Sequence, residues 1–266
     1  MILEALTANA AILLGVALIL WVAALQIDDV SFIDSFWGFG MALMAFVSWL
    51  QLARPGGLAT MLMIMTVAWG LRLSIYLFIR WRREGQDKRY ERMLRKDREK
   101  GRFALAALVK VFLGQSVLLF IVCSPAQYGI LEAASNTPIS GLALVGLALY
   151  CVGIFFEWVG DWQLARFKAD PANEGEVMDQ GLWRYTRHPN YFGDACVWWG
   201  IWIAAASAGW WVAAATVIGP LFLTFTLVKW SGAALLEKGM KHSRPGYEEY
   251  KKRTSAFIPM PPAKSS

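Results

Sequence analysis

The most constraining feature of this chain is a series of long apolar runs separated by short polar segments. Hydrophobic residues make up 57% of its 266 residues, whereas a soluble domain usually has about 45–50%. A helix that crosses the hydrocarbon core needs about 20 mainly apolar residues. Seven runs approach that length, and we place them near residues 5–25, 31–53, 58–80, 104–123, 140–163, 192–208 and 210–230. The sequence therefore predicts a single all-α integral membrane domain over residues 1–266 with seven transmembrane helices.

The distribution of positive charge predicts an orientation in the membrane. Of 26 Lys and Arg residues, 22 lie in the segments 80–102, 166–187 and 238–264. Cytoplasmic loops of membrane proteins carry an excess of these residues. Seven spans would put all three segments on one side, so we expect the N-terminus outside and the tail 236–266 in the cytoplasm. The same rule accounts for the net charge of +6 without a nucleic-acid partner.

Cysteine and histidine are too few and too scattered for metal or disulfide chemistry. The chain has three Cys and two His, and none of them has neighbours at metal-ligand spacing. We therefore expect no metal site and no disulfide framework. The charged run 81–102 is expected to continue the third helix as a solvated extension.

The third apolar helix carries a polar stripe formed by Arg72, Tyr76, Arg80 and Arg83. Their spacings of four, four and three residues put them on one helix face. Arg72 lies two turns inside the apolar run, where a charge needs a partner or a polar cavity. We interpret the stripe as a path for phosphate groups. For Arg80 and Arg83, contact with lipid headgroups is the alternative.

Two carboxylates share a face of the fifth helix. Glu157 and Asp161 are four residues apart, which is unfavourable unless cations or hydroxyl donors meet them. Arg166 and Lys168 follow on the same helix. This pattern suggests carboxylates that accept hydrogen bonds from ribose hydroxyls beside cations that hold phosphates. An internal salt bridge from Asp161 to Arg166 is the alternative.

A dense polar cluster precedes the sixth helix. Its members are Arg184, Tyr185, Arg187, His188, Asn190, Tyr191 and Asp194. Pro189 suits the first helical turn, whose free N–H groups can bind an anion. Arg184 and Arg187 could make bidentate contacts with a phosphate, while Asn190 and Asp194 could bind an amide or a sugar hydroxyl. The cluster therefore predicts a site for a polyanionic ligand.

The second helix opens with another acidic residue. Asp34 lies one turn inside the helix, and Trp37 follows three residues later. A buried carboxyl without a cation favours its neutral form, which can donate a hydrogen bond to a carbonyl. The alternatives are an interhelical hydrogen bond or a salt bridge to Arg72. Ser31 or Asp28 is expected to cap this helix.

The polar tail contains Glu237 and the tyrosines Tyr247 and Tyr250, which precede a basic run. These tyrosines could cover an adenine, or they could belong to an ordinary cytoplasmic helix. The chain has neither a GxGxxG turn after a strand nor a GxxxxGK[ST] loop, so a soluble nucleotide-binding domain is not expected.

Several motifs together resemble a known superfamily. They are GLWRYT followed by RHPNYFGD, then LLEKGM and PGYEEYKKRTSAFIP, and the earlier SFIDSFWG and WGLRLSIYL. From about residue 28 to 262 the chain resembles the steroid 5α-reductase superfamily, and more narrowly its bacterial DUF1295 branch. The wider fold also includes isoprenylcysteine and phospholipid methyltransferases that use S-adenosylmethionine and share the Arg-His-Pro-x-Tyr core. The continuation through Gly193 and Asp194 is closer to the reductases.

The resemblance implies an enzyme that reduces the carbon–carbon double bond of an enone lipid, such as a 3-oxo-Δ4 steroid, with NADPH. The cofactor cavity would be open to the cytoplasm, and the protein would be a monomer in the bacterial inner membrane. In steroid 5α-reductases, a glutamate of the second helix and a tyrosine of the third meet the substrate carbonyl. The corresponding residues here are Asp34 and, as a departure, Trp69, with Trp37 nearby.

The resemblance also implies which residues contact the cofactor. These are Tyr76, Arg80, Arg83, Asp161, Lys168, Asn190 and Asp194, with Glu237, Tyr247 and Tyr250 closing over it. The apolar substrate would enter from the lipid near Phe36 and Trp37. A membrane methyltransferase and a sterol-binding protein without activity are the competing interpretations.

Overall fold

A computed structural model describes residues 2–133, 137–230, 237 and 244–263. In these residues the chain forms helices and no β-strand, with one isolated bridge between Thr186 and Ser255. Of the predicted tail 236–266, Glu237 and residues 244–263 are described; the remainder of the tail lies outside the described residues, as does most of the LLEKGM motif.

Ten helices account for most of the described chain. They are α1 (Ile2–Ile27), α2 (Ile33–Leu50), α3 (Gly57–Glu84), α4 (Lys88–Glu99), α5 (Phe103–Val122), α6 (Ser124–Glu132), α7 (Gly141–Ala169), α8 (Pro189–Ala206), α9 (Trp210–Trp230) and α10 (Tyr247–Arg253). Helices α5 and α9 include π-helical stretches at Leu108–Leu113 and Thr226–Trp230. Among the described residues, six helices are long and apolar enough to cross a membrane: α1, α2, α3, α5, α7 and α9.

The six helices are consistent with a multi-pass membrane protein, as predicted. The seventh predicted span, 192–208, is a helix, but α8 does not reach the apolarity of the other six. Its 18 residues begin at Pro189 and carry Asn190 and Asp194 in the first two turns, which lowers its mean hydropathy. Seven spans, and the orientation that depends on an odd number, therefore stay predictions.

The charged run after α3 differs from the prediction of one continuous helix. Helix α3 extends to Glu84, and Gly85 then adopts a φ of 75°, which glycine tolerates better than other residues. Asp87 caps the separate helix α4, because its side chain accepts a hydrogen bond from the Arg89 N–H at 2.8 Å. The short helix α6 was also not predicted.

The predicted cap of α2 is wrong. The residue before α2 is Phe32, and no side chain caps the helix. The Ser31 hydroxyl and N–H instead donate to the Asp29 carboxylate, each at 2.7 Å. Asp28 pairs with Arg98. These side chains therefore fix the connection between α1 and α2 and leave the α2 terminus uncapped.

The described chain divides into two compact units. Unit 1 comprises residues 1–143 and 204–217, and unit 2 comprises residues 144–203 and 218–266. In unit 1, α2 and α3 cross so closely that a Cβ at Gly38 would lie 2.3 Å from the Gly70 carbonyl oxygen. In unit 2, a Cβ at Gly153 would lie 2.6 Å from the Gly193 carbonyl oxygen. Small residues allow this backbone contact between apolar helices.

Candidate functional site

In unit 1, the Asp34 side chain accepts two hydrogen bonds from α4. Its Oδ2 atom accepts from Arg89 Nη2 at 2.9 Å, and its Oδ1 atom accepts from the Tyr90 hydroxyl. The carboxyl therefore has a cationic partner, and its expected role as a neutral hydrogen-bond donor stays a prediction. The ion pair of Asp34 is made with Arg89, not with Arg72 as in one alternative.

Tyr90 connects Asp34 to a longer chain of hydrogen bonds. Its hydroxyl accepts from Gln115 Nε2 at 2.8 Å, and Gln115 Oε1 accepts from Trp37 Nε1 at 2.7 Å. Burial raises the pKa of the Tyr90 phenol, and the nearby Asp34 charge raises it further. The phenol therefore keeps its proton near neutral pH and acts as a donor toward Asp34.

The ion pair is supported by a second acid on α4. Arg89 Nε donates to the Asp87 carboxylate at 2.9 Å, and the Asp87 N–H donates to the Ser31 hydroxyl at 3.1 Å. Burial opposes ionisation of Asp87, but the hydrogen bonds from Arg89 outweigh it, and the pKa of Asp87 is lowered. Arg89 is thus held by two carboxylates.

The far end of α4 is attached to unit 1 by further ion pairs. Arg98 Nη1 lies 2.7 Å from Asp28 Oδ1, and Lys110 Nζ lies 2.7 Å from Asp97 Oδ2. The hydrogen bond from Lys110 lowers the pKa of Asp97. Helix α4 is therefore bonded along its length to the α1–α2 connection, α2 and α5.

The other predicted site residues of unit 1 lie on α3, and their environments differ from one another. Trp69 is fully buried in the core. The Arg72 guanidinium lies over the Tyr76 ring, 5.2 Å from its centroid, which is a cation–π contact. Arg80 is half-buried near the C-terminal end of α3, and the exposed Arg83 lies 3.4 Å from Glu84. The predicted stripe is thus only partly accessible.

In unit 2, α7 buries the two predicted carboxylates. Asp161 is 5% exposed and Glu157 is 2% exposed. Asp161 Oδ1 accepts a hydrogen bond from Asn190 Nδ2 at 3.0 Å. The start of α8 comes close to α7 at Gly160, where a Cβ would lie 3.2 Å from Pro189 Cγ. The structure therefore brings together Asp161 and Asn190, which are distant in sequence and were both predicted to bind the ligand.

Arg187 and His188 are both bonded to the C-terminal segment. Arg187 is buried; its Nε donates to Glu237 Oε1 at 3.0 Å, and its Nη1 donates to the carbonyls of Thr254 at 2.6 Å and Lys251 at 3.1 Å. His188 Nε2 lies 3.1 Å from the same Glu237 oxygen. These bonds hold the C-terminal segment, so this geometry does not favour a phosphate contact by Arg187.

Glu237 remains ionised in this arrangement. Burial alone would raise its pKa, but hydrogen bonds from His188 and Arg187, together with the charge of Arg187, lower the pKa to about 2. The His188 ring also stacks on Tyr191, with centroids 5.4 Å apart and an interplanar angle of 8°. We call Arg187, His188 and Glu237 the C-terminal clasp.

The tyrosines of α10 face the interior of unit 2. Tyr247 and Tyr250 are both buried, and the Tyr250 hydroxyl donates to the Trp183 carbonyl at 2.5 Å. The Arg187 N–H also donates to the Ser255 carbonyl at 2.9 Å. The predicted stacking of these tyrosines on an adenine is therefore not favoured, because their rings are used to pack α10.

Exposed residues of unit 2 lie at the C-terminal end of α7 and on the loop between α7 and α8. Arg184, Tyr185 and Lys168 are exposed, and the Arg166 guanidinium lies 5.7 Å from the Trp162 ring centroid. Tyr191 and Asp194 are half-buried. An open cleft of about 320 Å³ is lined in part by Trp162 and Arg166. Accessible cations are therefore present on the loop between α7 and α8 and on the adjoining end of α7.

Sequence reasoning missed Arg89, Tyr90 and Gln115. Helix α4 reads as a solvated charged helix, but Tyr90 and Leu94 are apolar positions four residues apart and both are buried. That pair marks the face that packs on the protein. Gln115 lies in an apolar run, where an amide needs a partner. These two signals could have indicated the cluster.

The six long apolar helices among the described residues are consistent with a multi-pass membrane protein. A family model described as "Protein of unknown function (DUF1295)" matches residues 20–254. The chain therefore belongs to the DUF1295 family. Comparisons with curated proteins and with solved structures gave no match.

Proposed function

We propose that this protein uses NADPH to reduce the carbon–carbon double bond of an enone lipid, with a 3-oxo-Δ4 steroid as the substrate class implied by the resemblance. The observation that carries the proposal is the buried Asp161 carboxylate, hydrogen-bonded to Asn190 and one turn from the buried Glu157. Ionisable groups inside apolar helices are costly and usually functional.

The donor set of unit 2 fits a phosphorylated dinucleotide. The carboxylates of Asp161 and Glu157 suit sugar hydroxyls, and the Asn190 amide suits a carboxamide. The exposed cations Arg166, Lys168 and Arg184 suit phosphate groups. S-adenosylmethionine has no phosphate and would leave these cations without a use. When bound, NADPH supplies the hydride.

The reaction also needs a proton donor, and unit 1 taken by itself offers a candidate, the Tyr90 phenol. Hydride addition to the β-carbon makes the carbonyl oxygen of the enone negative, and the α-carbon then takes a proton. The Tyr90 phenol is protonated near neutral pH and is oriented by Asp34 and Gln115. In this proposal Asp34 positions the Tyr90 phenol by accepting its hydrogen bond. Trp37 positions Gln115 by donating a hydrogen bond to it. Trp69 is buried in unit 1, and its role beside the substrate carbonyl stays a prediction.

Ligand binding and turnover test this proposal together. The purified full chain would be titrated with NADPH, NADH and S-adenosylmethionine while its thermal unfolding is followed, because a bound ligand stabilises the folded state. Turnover would then be measured across a panel of enone steroids. We expect stabilisation by NADPH above that by NADH, and a saturated ketone product.

Two outcomes would overturn the proposal. Stabilisation by S-adenosylmethionine alone would identify a methyltransferase. Binding of a steroid without binding of any of the three cofactors would identify a lipid-binding protein.

A further inference from the structure

The outward face of α4 is a basic surface that the proposed reaction does not use. Lys88, Arg92 and Arg95 are exposed and lie four and three residues apart, so they share one side of the helix. With Glu91 they line an open cleft of about 440 Å³. We call Lys88, Arg92 and Arg95 the basic face.

The position of α4 in the chain places it beside the membrane surface. Helix α3 ends at Glu84 and α5 begins at Phe103, and both are long and apolar enough to cross a membrane. The intervening segment must therefore stay on the side of the membrane where α3 ends. At 1.5 Å per residue, α4 is about 18 Å long, with three residues connecting each of its ends to these helices.

The opposite side of α4 is bonded to other helices of unit 1. Tyr90 donates to Asp34, and Asp97 pairs with Lys110. These contacts fix the rotation of the helix about its axis. The basic face is therefore held in the orientation that leaves it exposed.

The basic face is only weakly neutralised by its own helix. Helix α4 contains six Lys or Arg residues and three Asp or Glu residues, which gives a net charge of +3. Arg95 lies 3.9 Å from Glu99, but both side chains are more than half exposed, and such pairs contribute little. Asp97 is already paired with Lys110.

We propose that the basic face binds the phosphate-bearing headgroups of anionic phospholipids. Basic segments next to a membrane-spanning helix are attracted to anionic headgroups within about a Debye length of the surface. The cleft offers three cations to one headgroup phosphate.

Lipid counting by native mass spectrometry tests this surface. The full chain in detergent would be titrated with dioleoylphosphatidylglycerol and with dioleoylphosphatidylcholine. The variant Lys88→Gln/Arg92→Gln/Arg95→Gln removes the three charges and leaves the bonds of Tyr90 and Asp97 in place. We expect the wild type to prefer the glycerol lipid and the variant to lose at least about tenfold in affinity for it.

Two control variants separate this site from general charge. Lys251→Gln/Lys252→Gln removes exposed cations from α10 in unit 2 and should leave the preference unchanged. Arg92→Lys/Arg95→Lys keeps the charge and should retain most of the binding. Thermal unfolding of each variant reports whether it is folded, and if the triple variant unfolds, Arg92→Gln alone should still weaken binding severalfold.

Three results would overturn the proposal. The first is equal loss of binding in the α10 variant, which would indicate unspecific attraction. The second is unchanged lipid preference in the folded triple variant. The third is displacement of the glycerol lipid by inorganic phosphate at millimolar concentration, which would indicate a site for the free ion.

Discussion

Asp34 in unit 1 and Glu237 in unit 2 are both paired with an arginine, but their surroundings differ. Asp34 accepts from Arg89 and from a phenol, and the Arg89 side chain is 42% exposed. Glu237 accepts from Arg187, which is 8% exposed and also donates to two main-chain carbonyls. The first cluster contains a phenol that donates a hydrogen bond to the carboxylate, whereas the second ties the C-terminal segment to the start of α8.

This difference indicates that the arginines of the polar cluster before α8 lie in different surroundings. Arg187 is bonded to the carbonyls of Lys251 and Thr254 and to Glu237, and these bonds tie it to the C-terminal segment. Arg184, three residues earlier, is exposed and has no such constraint from the backbone. Two arginines of one motif therefore have separable roles, and the comparison can be tested by substitution.

The largest effect is expected for Tyr90→Phe. This change keeps the ring and its burial but removes the proposed proton donor, so kcat for enone reduction should fall about 10²–10⁴-fold. The Kd for NADPH should not change. Tyr128→Phe, on α6, is the matched control and should keep full turnover. Unchanged kcat in Tyr90→Phe would show that unit 1 does not supply the proton.

Loss of the C-terminal clasp should produce the next largest effect. Arg187→Met leaves the ionised Glu237 carboxylate without its arginine partner. The free energy of unfolding should therefore fall by about 3 kcal/mol. Arg184→Met, at an exposed site, should change it by less than about 0.5 kcal/mol. Denaturant unfolding measures both. Equal effects would mean that the clasp does not distinguish the two arginines.

A smaller effect is expected for Asn190→Ala. The variant removes the amide that donates to Asp161, and it should raise the Kd for NADPH about tenfold, which is about 1.4 kcal/mol. Asn173→Ala removes another amide of unit 2, one that bonds only locally to the Phe167 carbonyl. Calorimetric titration compares the variants. If Asn173→Ala weakens NADPH binding more than Asn190→Ala does, the site has been misplaced.

A further effect concerns the pH dependence of stability. The pKa of Glu237 is about 2 in the folded protein, against an ordinary value of 4.5. The ionised carboxylate therefore stabilises the fold above pH 4.5, and this contribution is lost as the pH falls from 4.5 toward 2. Glu237→Gln should remove that part of the pH dependence. Thermal unfolding across this range, with Glu248→Gln as an exposed control, measures it.

Apolar runs predicted six helices that are long and apolar enough to cross a membrane, because length and composition can be read from the sequence. Local spacing also predicted that Glu157 and Asp161 share a helix face. It could not show that Asp161 meets Asn190, or that Arg187 meets Glu237 about 50 residues later, because these contacts depend on helix packing. The contact of Tyr90 with Asp34 also depends on packing, although the spacing of Tyr90 and Leu94 marked the face of α4 that is buried.

The most direct test is calorimetric titration of the purified full chain with NADPH and with S-adenosylmethionine. We predict saturable binding of NADPH that is weakened by Asn190→Ala, and no binding of S-adenosylmethionine. Binding of S-adenosylmethionine without binding of NADPH would contradict the assignment of the Asp161–Asn190 cluster to a phosphorylated dinucleotide.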